Sequence, residues 1–399
     1  MPAVEMKPDI YWVGVNDRTT DLFEGLWPVA DTGVSYNTYL INDEKKVIID
    51  LVKAIKTDAF FDQIHAVMPL SEIDYVIINH MEPDHTGVLK TLHKIAPDIT
   101  LVGTEKMKQM LAHYYGITDP VRVVRDGETL TLGRKTLQFF EAPFIHWPET
   151  MVTWEQTQKV LFPCDAFGSY GALRGTIFDD ECLEPEFYIR EALRYYVNIV
   201  ARFSQPVLKA IEKLSGLDIQ MIAPSHGLIW RKDPARIIDY YRNWAELAQG
   251  GGDKGITLLY GSMYGNTEAV MDAIAQGLAC SGITIEIFDV ARIHTSYILP
   301  ALWIHKGVMV GAPTYEGRLF PPMAQALDMA VLKKIQNKKA AYFGSYGWSG
   351  GALRQVKSMM EPMQWDFRNI FEFQGGIEGD VLKKAEAFGR EFSSDVQSE

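Results

Sequence analysis

The sequence predicts a two-domain chain: an α+β segment of packed sheets with helices outside, then an α/β segment built on a doubly wound parallel sheet. Three observations carry this reading. The chain has 399 residues, enough for two domains. A break at 249–255, "QGGGDKG", sets Gly250, Gly251 and Gly252 between patterned segments as a flexible joint. The hydrophobic patterning differs on its two sides. Residues 1–250 and 254–399 are therefore read as separate domains.

In the first segment "IYWVG" reads as a strand, and "YNTYLI" and "KVIID" flank the turn-like "NDEK" as a hairpin. "AFFDQIHAVM" and "VLKTLHKI" carry helical patterns. Strands follow at "VRVV", "TLTL", "TLQFFEA", "MVTWEQ" and "KVLF", separated by turns. Meanders mixed with helices in this way predict sheets packed together with helices outside. A helix over about Pro234–Ala248 closes the segment. Asp233 is placed to cap it and Pro234 suits its first turn. Ile237, Ile238, Tyr241, Trp244 and Leu247 or Ala248 give it an apolar stripe.

The second segment alternates. "GITLLYG", "ITIEIFDV", "GVMVGAP" and "KKAAYFGSYG" are short strands, and helical patterns lie near 267–280, 321–334 and 350–361. That alternation predicts a parallel sheet with helices on both faces. A last helical pattern, "DVLKKAEAFGREF", precedes the end at Glu399.

The bulk properties exclude several partners. A net charge of −12 lacks the basic face that broad nucleic-acid binding needs, and it does not favour anionic membranes. Cys164, Cys182 and Cys280 form no CxxC pair, so a structural zinc knuckle or rubredoxin-type iron centre is not expected. Few cysteines fit a reducing compartment, and a cytoplasmic location is expected. The N-terminus lacks the basic and apolar regions of a signal peptide. No apolar run approaches the roughly 20 residues that span a bilayer.

Chemistry concentrates at "NHMEPDHTG", 79–87, directly after the apolar "YVII". Pro83 stops regular ladder pairing there, so His80, Glu82, Asp84 and His85 lie on an anchored loop. Taken alone the stretch also suits a solvated polar loop. Three other strand ends carry ligand-type residues: His146 in "APFIHWPE", Asp165 in "VLFPCDAFG" and His226 in "MIAPSHG". Four such places in one segment point to metal. Tyr195 and Tyr196 offer a hydroxyl or proton near the ligands, or simply pack a helix. Asp50 orients a ligand or caps a turn, and Trp147 walls the pocket.

A second constellation joins a strand to a helix at "LLYGSMYGNTE". Ser262, Met263, Tyr264, Gly265, Asn266 and Thr267 form a hydroxyl-rich turn at a helix N-terminus, which suits one phosphate. No Gly-Lys-Ser/Thr follows, so it is not a nucleoside-triphosphate loop. Two more strand-end loops support it: Pro313, Thr314, Tyr315, Glu316 and Gly317, then Ser345, Tyr346, Gly347, Trp348 and Gly350. Their glycines admit a ring closely, and Trp348, Tyr346 or Tyr315 offers a stacking face.

The order HxExDH, followed by His, Asp and His at strand ends, resembles the metallo-β-lactamase superfamily, and the glutamate at its second position resembles the flavodiiron branch. A carboxylate in place of an imidazole adds charge and a harder donor, which favours iron over zinc. The second segment resembles flavodoxin. The resemblance covers roughly 5–250 and 254–396. It implies a metallo-β-lactamase-like αββα sandwich followed by a flavodoxin-like domain with FMN. It implies a non-haem di-iron site: His80, Glu82 and His146 on one iron, Asp84, His85 and His226 on the other, and Asp165 bridging. Some relatives leave the imidazole at the His85 position uncoordinated.

The implied activity is reduction of O2 to water and/or of NO to N2O, with FMN feeding the metals. The resemblance further implies a head-to-tail homodimer, or a dimer of dimers. No cysteine-rich tail is present, so an external donor is expected, rubredoxin or a reduced deazaflavin. The competing readings are a lactamase-like zinc hydrolase with an appended flavodoxin module, and a non-catalytic electron carrier or redox sensor.

Overall fold

The computed structural model describes residues 2–398. The chain divides into two compact units, Met1–Arg242 and Asn243–Glu399. The division falls inside the helix Pro234–Glu246, upstream of the glycine run. The end of that helix is tied to the second unit, because the Trp303 indole donates to the Trp244 carbonyl at 2.9 Å.

The first unit contains two large sheets. One runs β1 (Val4–Lys7), β2 (Ile10–Trp12), β3 (Tyr39–Ile41), β4 (Val47–Ile49), β5 (Tyr75–Ile77), β6 (Thr100–Gly103) and β7 (Val121–Val123), with neighbours in chain order. Pairing is antiparallel from β1 to β4 and parallel from β4 to β7. The other runs β8 (Thr129–Thr131), β9 (Thr136–Glu141), β10 (Met151–Glu155), β11 (Val160–Phe162) and β12 (Met221–Ile222), with only β11–β12 parallel. The expected hairpin around "NDEK" is β3–β4.

Burial follows the residue pattern. The β3, β4 and β11 runs are buried on both faces, as continuous apolar strands should be. In β9 only Leu137 and Phe139 are buried, which is the alternation of a strand with one wet face. The sheets meet face to face: the Tyr39 ring lies 5.0 Å from Phe162, and the Thr153 hydroxyl donates to Asn79 Oδ1 at 2.7 Å.

Helices cover the outside. Thr57–His65 buries Phe60 and Ile64. Glu105–Tyr115 was not read from the sequence, yet it has clear local causes. The Thr104 hydroxyl accepts from Met107 N, Met107 and Leu111 turn inward, and Gly116 ends it at a φ of 69°.

The second unit is a parallel sheet: β13 (Asp253–Tyr260), β14 (Thr284–Asp289), β15 (His305–Gly311), β16 (Lys339–Tyr346) and β17 (Asp366–Gln374), in spatial order β14-β13-β15-β16-β17. This is the doubly wound order whose ligand crevice opens where the strand order reverses, between β13 and β15. The helices Asn266–Ala279 and Val381–Gln397 bury Ile274, Leu278 and Phe392 against Leu258 and Phe343. A Cβ on Gly277 would overlap the Glu386 carbonyl, and one on Gly389 the Ile274 carbonyl, so two glycines allow the helix backbones to touch. Two elements had escaped the pattern. The helix Thr295–Ile304 carries Pro300 inside it, and β17 buries little of either face. Among the described residues no helix is long and apolar enough to cross a membrane.

Candidate metal centre and flavin loops

The metal-type residues arrive from strand ends that the sheets bring to one edge. After β5 the chain runs through Asn79 to His80. Asp50, in the left-handed region at a φ of 52°, accepts from Asn79 N at 2.8 Å and from its amide at 2.9 Å. The loop bearing His80 is therefore pinned from beneath. Pro83 does more than stop a ladder: it opens a helical turn, Pro83–Thr86, which carries Asp84 and His85. His146 follows β9, Asp165 follows β11 and His226 follows β12.

The seven side chains form two adjoining sets. His80, Glu82, His146 and Asp165 converge in one, and Asp84, His85 and His226 in the other. Glu82 Oε2 lies 3.3 Å from His80 Nε2 and 3.0 Å from His146 Nε2. Asp165 Oδ2 lies 3.4 Å from both of these nitrogens. In the other set His85 Nε2 is 3.4 Å from Asp84 Oδ1, and His226 Nε2 is 3.3 Å from Asp84 Oδ2. Asp165 Oδ1 is 2.9 Å from His85 Nε2 and 3.3 Å from His226 Nε2. One oxygen of Asp165 thus faces each set, as a bridging carboxylate requires.

These spacings fit metal. Ligand bonds of about 2.1 Å imply neighbouring donor atoms roughly 3.0 to 3.4 Å apart, in octahedral or tetrahedral arrangement. Asp84 Oδ1 and Oδ2, Asp165 Oδ2 and His226 Nε2 are buried without a hydrogen bond of good geometry. Buried polar atoms of this kind demand a partner, and a cation at each set would supply it.

The electrostatics point the same way. Burial opposes charge on His146, yet hydrogen bonds to Asp165 and Glu82 push it up to about 9. Burial likewise opposes charge on His226, and Asp165 and Asp84 push it up to about 10. His80 is held well above the usual histidine range by Glu149 and Glu82, and His85 is raised by Asp84 and Asp165, both against burial. Burial would raise Asp165, but the neighbouring imidazoles, His85 foremost, hold it well below the usual carboxylate range. The pocket strongly favours positive charge.

The walls are aromatic. Trp147 meets the His80 ring edge-on at 5.1 Å. Phe23, Tyr195 and Tyr36 surround His226 at 5.4, 5.6 and 5.8 Å. Tyr195 faces the site, whereas the Tyr196 hydroxyl pairs with Ser204 at 2.7 Å. A cavity of about 250 Å³, lined by Phe23, Tyr36, Lys53, Glu82 and Asp84 among others, leads to the metal-type residues. Sequence reasoning missed the contribution of Phe23, Tyr36 and Lys53, which have no local signature. It also gave no role to Glu149, although Glu149 ends the "HWPE" run. Its carboxylate sits 2.7 Å from His80 Nδ1.

The flavin-type loops lie at the carboxyl ends of β13, β15 and β16. Gly265 precedes the helix Asn266–Ala279 at a φ of 90°, and no side chain caps that helix. Its first N–H groups are left for a phosphate. Ser262 Oγ accepts from Gly265 N at 3.1 Å, and the hydroxyls of Thr267 and Ser345 lie 3.3 Å apart. After β15 and Pro313, Thr314–Tyr315 pairs with Arg318–Leu319 around Glu316 and Gly317, both at positive φ. After β16, Ser345 and Tyr346 lead into Gly347, Trp348 and Gly350, and Gln374 Nε2 donates to the Gly347 carbonyl at 2.9 Å. Tyr264 and Trp348 are 90% and 91% exposed, and Met263 and Tyr315 are also exposed. Exposed aromatics around an uncapped helix start fit a flat ring with a phosphate tail.

The fold and site define a class: a β-lactamase-type two-metal unit joined to a flavodoxin-type unit. Residues 34–227 match the ODP family beta lactamase and residues 258–387 match the Flavodoxin family. The chain is 35% identical over 397 residues to the "Anaerobic nitric oxide reductase flavorubredoxin" of Pectobacterium carotovorum, covering 98% of this chain and 78% of that protein. Among solved structures it is similar to the rubredoxin oxygen:oxidoreductase of Desulfovibrio gigas, with a TM-score of 0.93, 28% identity and 99% of each chain covered. It is also similar to the flavodiiron protein of Giardia intestinalis, with a TM-score of 0.92, 29% identity and 99% and 97% of the two chains covered. The chain belongs to the flavodiiron protein family.

Proposed function

We propose that this protein is an oxidoreductase that reduces NO to N2O and/or O2 to water at a non-haem di-iron site, with electrons relayed through FMN. The observation that carries this reading is Asp165, whose two oxygens face two separate sets of ligand-type side chains. When bound, two ferrous ions and reduced FMN supply four electrons, which convert O2 and four protons to two waters, while two electrons and two protons couple two NO into N2O and one water.

His80, Glu82 and His146 would hold one iron, Asp84, His85 and His226 the other, with Asp165 between them. Glu82 decides against the hydrolase reading, since its carboxylate favours iron where a third imidazole would suit zinc. Phe23, Tyr36, Tyr195 and Trp147 exclude bulk water around a reaction that must retain small gaseous substrates. Ser262, Asn266 and Thr267 would hold the FMN phosphate at the helix N-terminus. Pro313 to Gly317 and Ser345 to Gly350 would flank the ring.

The external donor is proposed to be rubredoxin or a reduced deazaflavin, and the assembly a head-to-tail homodimer or a dimer of dimers. In that arrangement each FMN would lie beside the partner's irons. A cytoplasmic location is proposed; the free thiols of Cys164, Cys182 and Cys280 support it.

The test is anaerobic turnover of purified protein with reduced rubredoxin, comparing O2 and NO, alongside metal and flavin analysis. About two irons and one FMN per chain are expected. Zinc with hydrolytic turnover, or a folded Glu82→Ala variant that retains the parental reductase rate, would sink the reading.

A further inference from the structure

The ligand imidazoles are not held alike. His80 Nδ1 lies 2.7 Å from Glu149 Oε1, while His80 Nε2 points at Glu82 and Asp165. An ionised carboxylate only accepts, so Nδ1 carries the proton and Nε2 is left as the ligand atom. Glu149 is itself fixed from several sides. Its Oε1 also accepts from Met81 N at 2.8 Å, and the Thr104 hydroxyl donates to its carbonyl at 3.0 Å. Its side chain is fully buried, and Oε2 has no hydrogen-bond partner. The other set differs. His226 Nδ1 meets a neutral group, the Ser35 carbonyl, at 2.7 Å, and His85 Nδ1 is buried without a partner. Among these three imidazoles only His80 has a carboxylate hydrogen-bonded to its Nδ1; the buried Asp50 interacts with His85 electrostatically but makes no hydrogen bond to that ring.

We infer that Glu149 is a positioning residue that makes the two metal positions unequal, favouring the ferric state at the His80–Glu82–His146 position over the Asp84–His85–His226 position. This inference rests on the di-iron reading above. Two effects act in the same direction. A carboxylate sharing the Nδ1 proton makes the imidazole a stronger donor through Nε2. A buried negative charge, poorly screened, attracts a trivalent ion more than a divalent one. Removing one electron from the fully ferrous protein therefore oxidises the iron on His80 first. The electron leaves to the titrating oxidant, and no proton need move.

The experiment is a redox titration of the full-length, FMN-loaded, iron-loaded protein, followed by Mössbauer spectroscopy. Wild type is compared with E149Q, which keeps the shape and loses the charge, and with E149D, which keeps the charge. Wild type is expected to show two separated iron couples. E149Q is expected to lower the ferric-to-ferrous ratio of the first-oxidised iron about tenfold, a rise of about 59 mV for a one-electron couple. Its affinity for that iron should fall by roughly 10- to 100-fold. E149D should recover part of the potential, which a purely structural role would not restore. Equal potentials in wild type, or couples unmoved in an iron-loaded E149Q, would overturn the inference alone. A wild-type protein that takes up no iron overturns the di-iron reading as well.

Discussion

Loading the apoprotein with ferrous iron is expected to release about two to four protons per pair of ions near pH 7, two of them from His146 and His226. His80, His85, His146 and His226 all have raised proton affinity in the metal-free site. The carboxylates of Glu82, Asp84, Asp165 and Glu149, with the buried Asp50 beside His85 and His80, offset the charge of the imidazolium rings. Two divalent cations carry the charge of four protons, so the exchange is electroneutral when all four leave. By linkage the joint binding constant should rise about two to four decades per pH unit, about 3 to 5 kcal/mol, since each proton contributes about 1.4 kcal/mol per unit. The slope should diminish as His146 deprotonates at about 9 and His226 at about 10. An anaerobic ferrous titration in weak buffer with a pH indicator counts the protons. Chelator competition at several pH values gives the slope. Release of fewer than about two protons near pH 7 would mean that the imidazoles are already neutral, and would refute the charge balance.

Other expectations concern single side chains. Asn79→Ala strips Asp50 of its side-chain donor and the Thr153 hydroxyl of its acceptor in a buried place; the backbone N–H to Asp50 persists, so a loss of about 2–3 kcal/mol is expected in denaturant melts, together with weaker iron binding at His80. An unchanged midpoint would show that this network does not hold the loop. Trp348→Ala removes an exposed ring, so folding should be untouched while FMN affinity falls roughly two- to tenfold; flavin fluorescence reads this, and equal affinity would remove Trp348 from the stacking candidates. Burial pushes Lys338 down to about 7, although it donates to the Trp303 and His305 carbonyls at 3.0 and 2.6 Å. The unfolded lysine titrates near 10.4, so the unfolded state binds more protons between these values and stability should rise with pH across about 7 to 10. Lys338→Met should flatten that rise in melts of the FMN-loaded protein, and an undiminished slope would locate it elsewhere.

Much of this protein was legible in its residues because the signals are local. Apolar runs such as "YVII", "KVLF" and "GVMVG" had to be strands, and the polar residues that follow them had to lie at strand ends. "GSMYGNTE" had to join a strand to a helix, with hydroxyls at the junction. The density of histidine and carboxylate at 79–87 called for metal, and Glu82 spoke for iron. Elements with conflicting local signals were lost: Pro300 obscured a helix, and the weakly buried β17 obscured a strand.

The tertiary structure decided what no local pattern encodes. Residues 80 and 149 are 69 positions apart, and Ser35 and His226 are separated by 191, so no periodicity could reveal either hydrogen bond. Phe23, Tyr36 and Tyr195 become one aromatic wall only when distant loops meet at the sheet edge. The sequence by itself determined which donor atoms the site contains, because ligand chemistry belongs to residue type. Folding decided which oxygen of Asp165 faces which imidazoles and that a charge stands behind His80, because those depend on distances of a few ångströms between segments that only the packed sheets bring together.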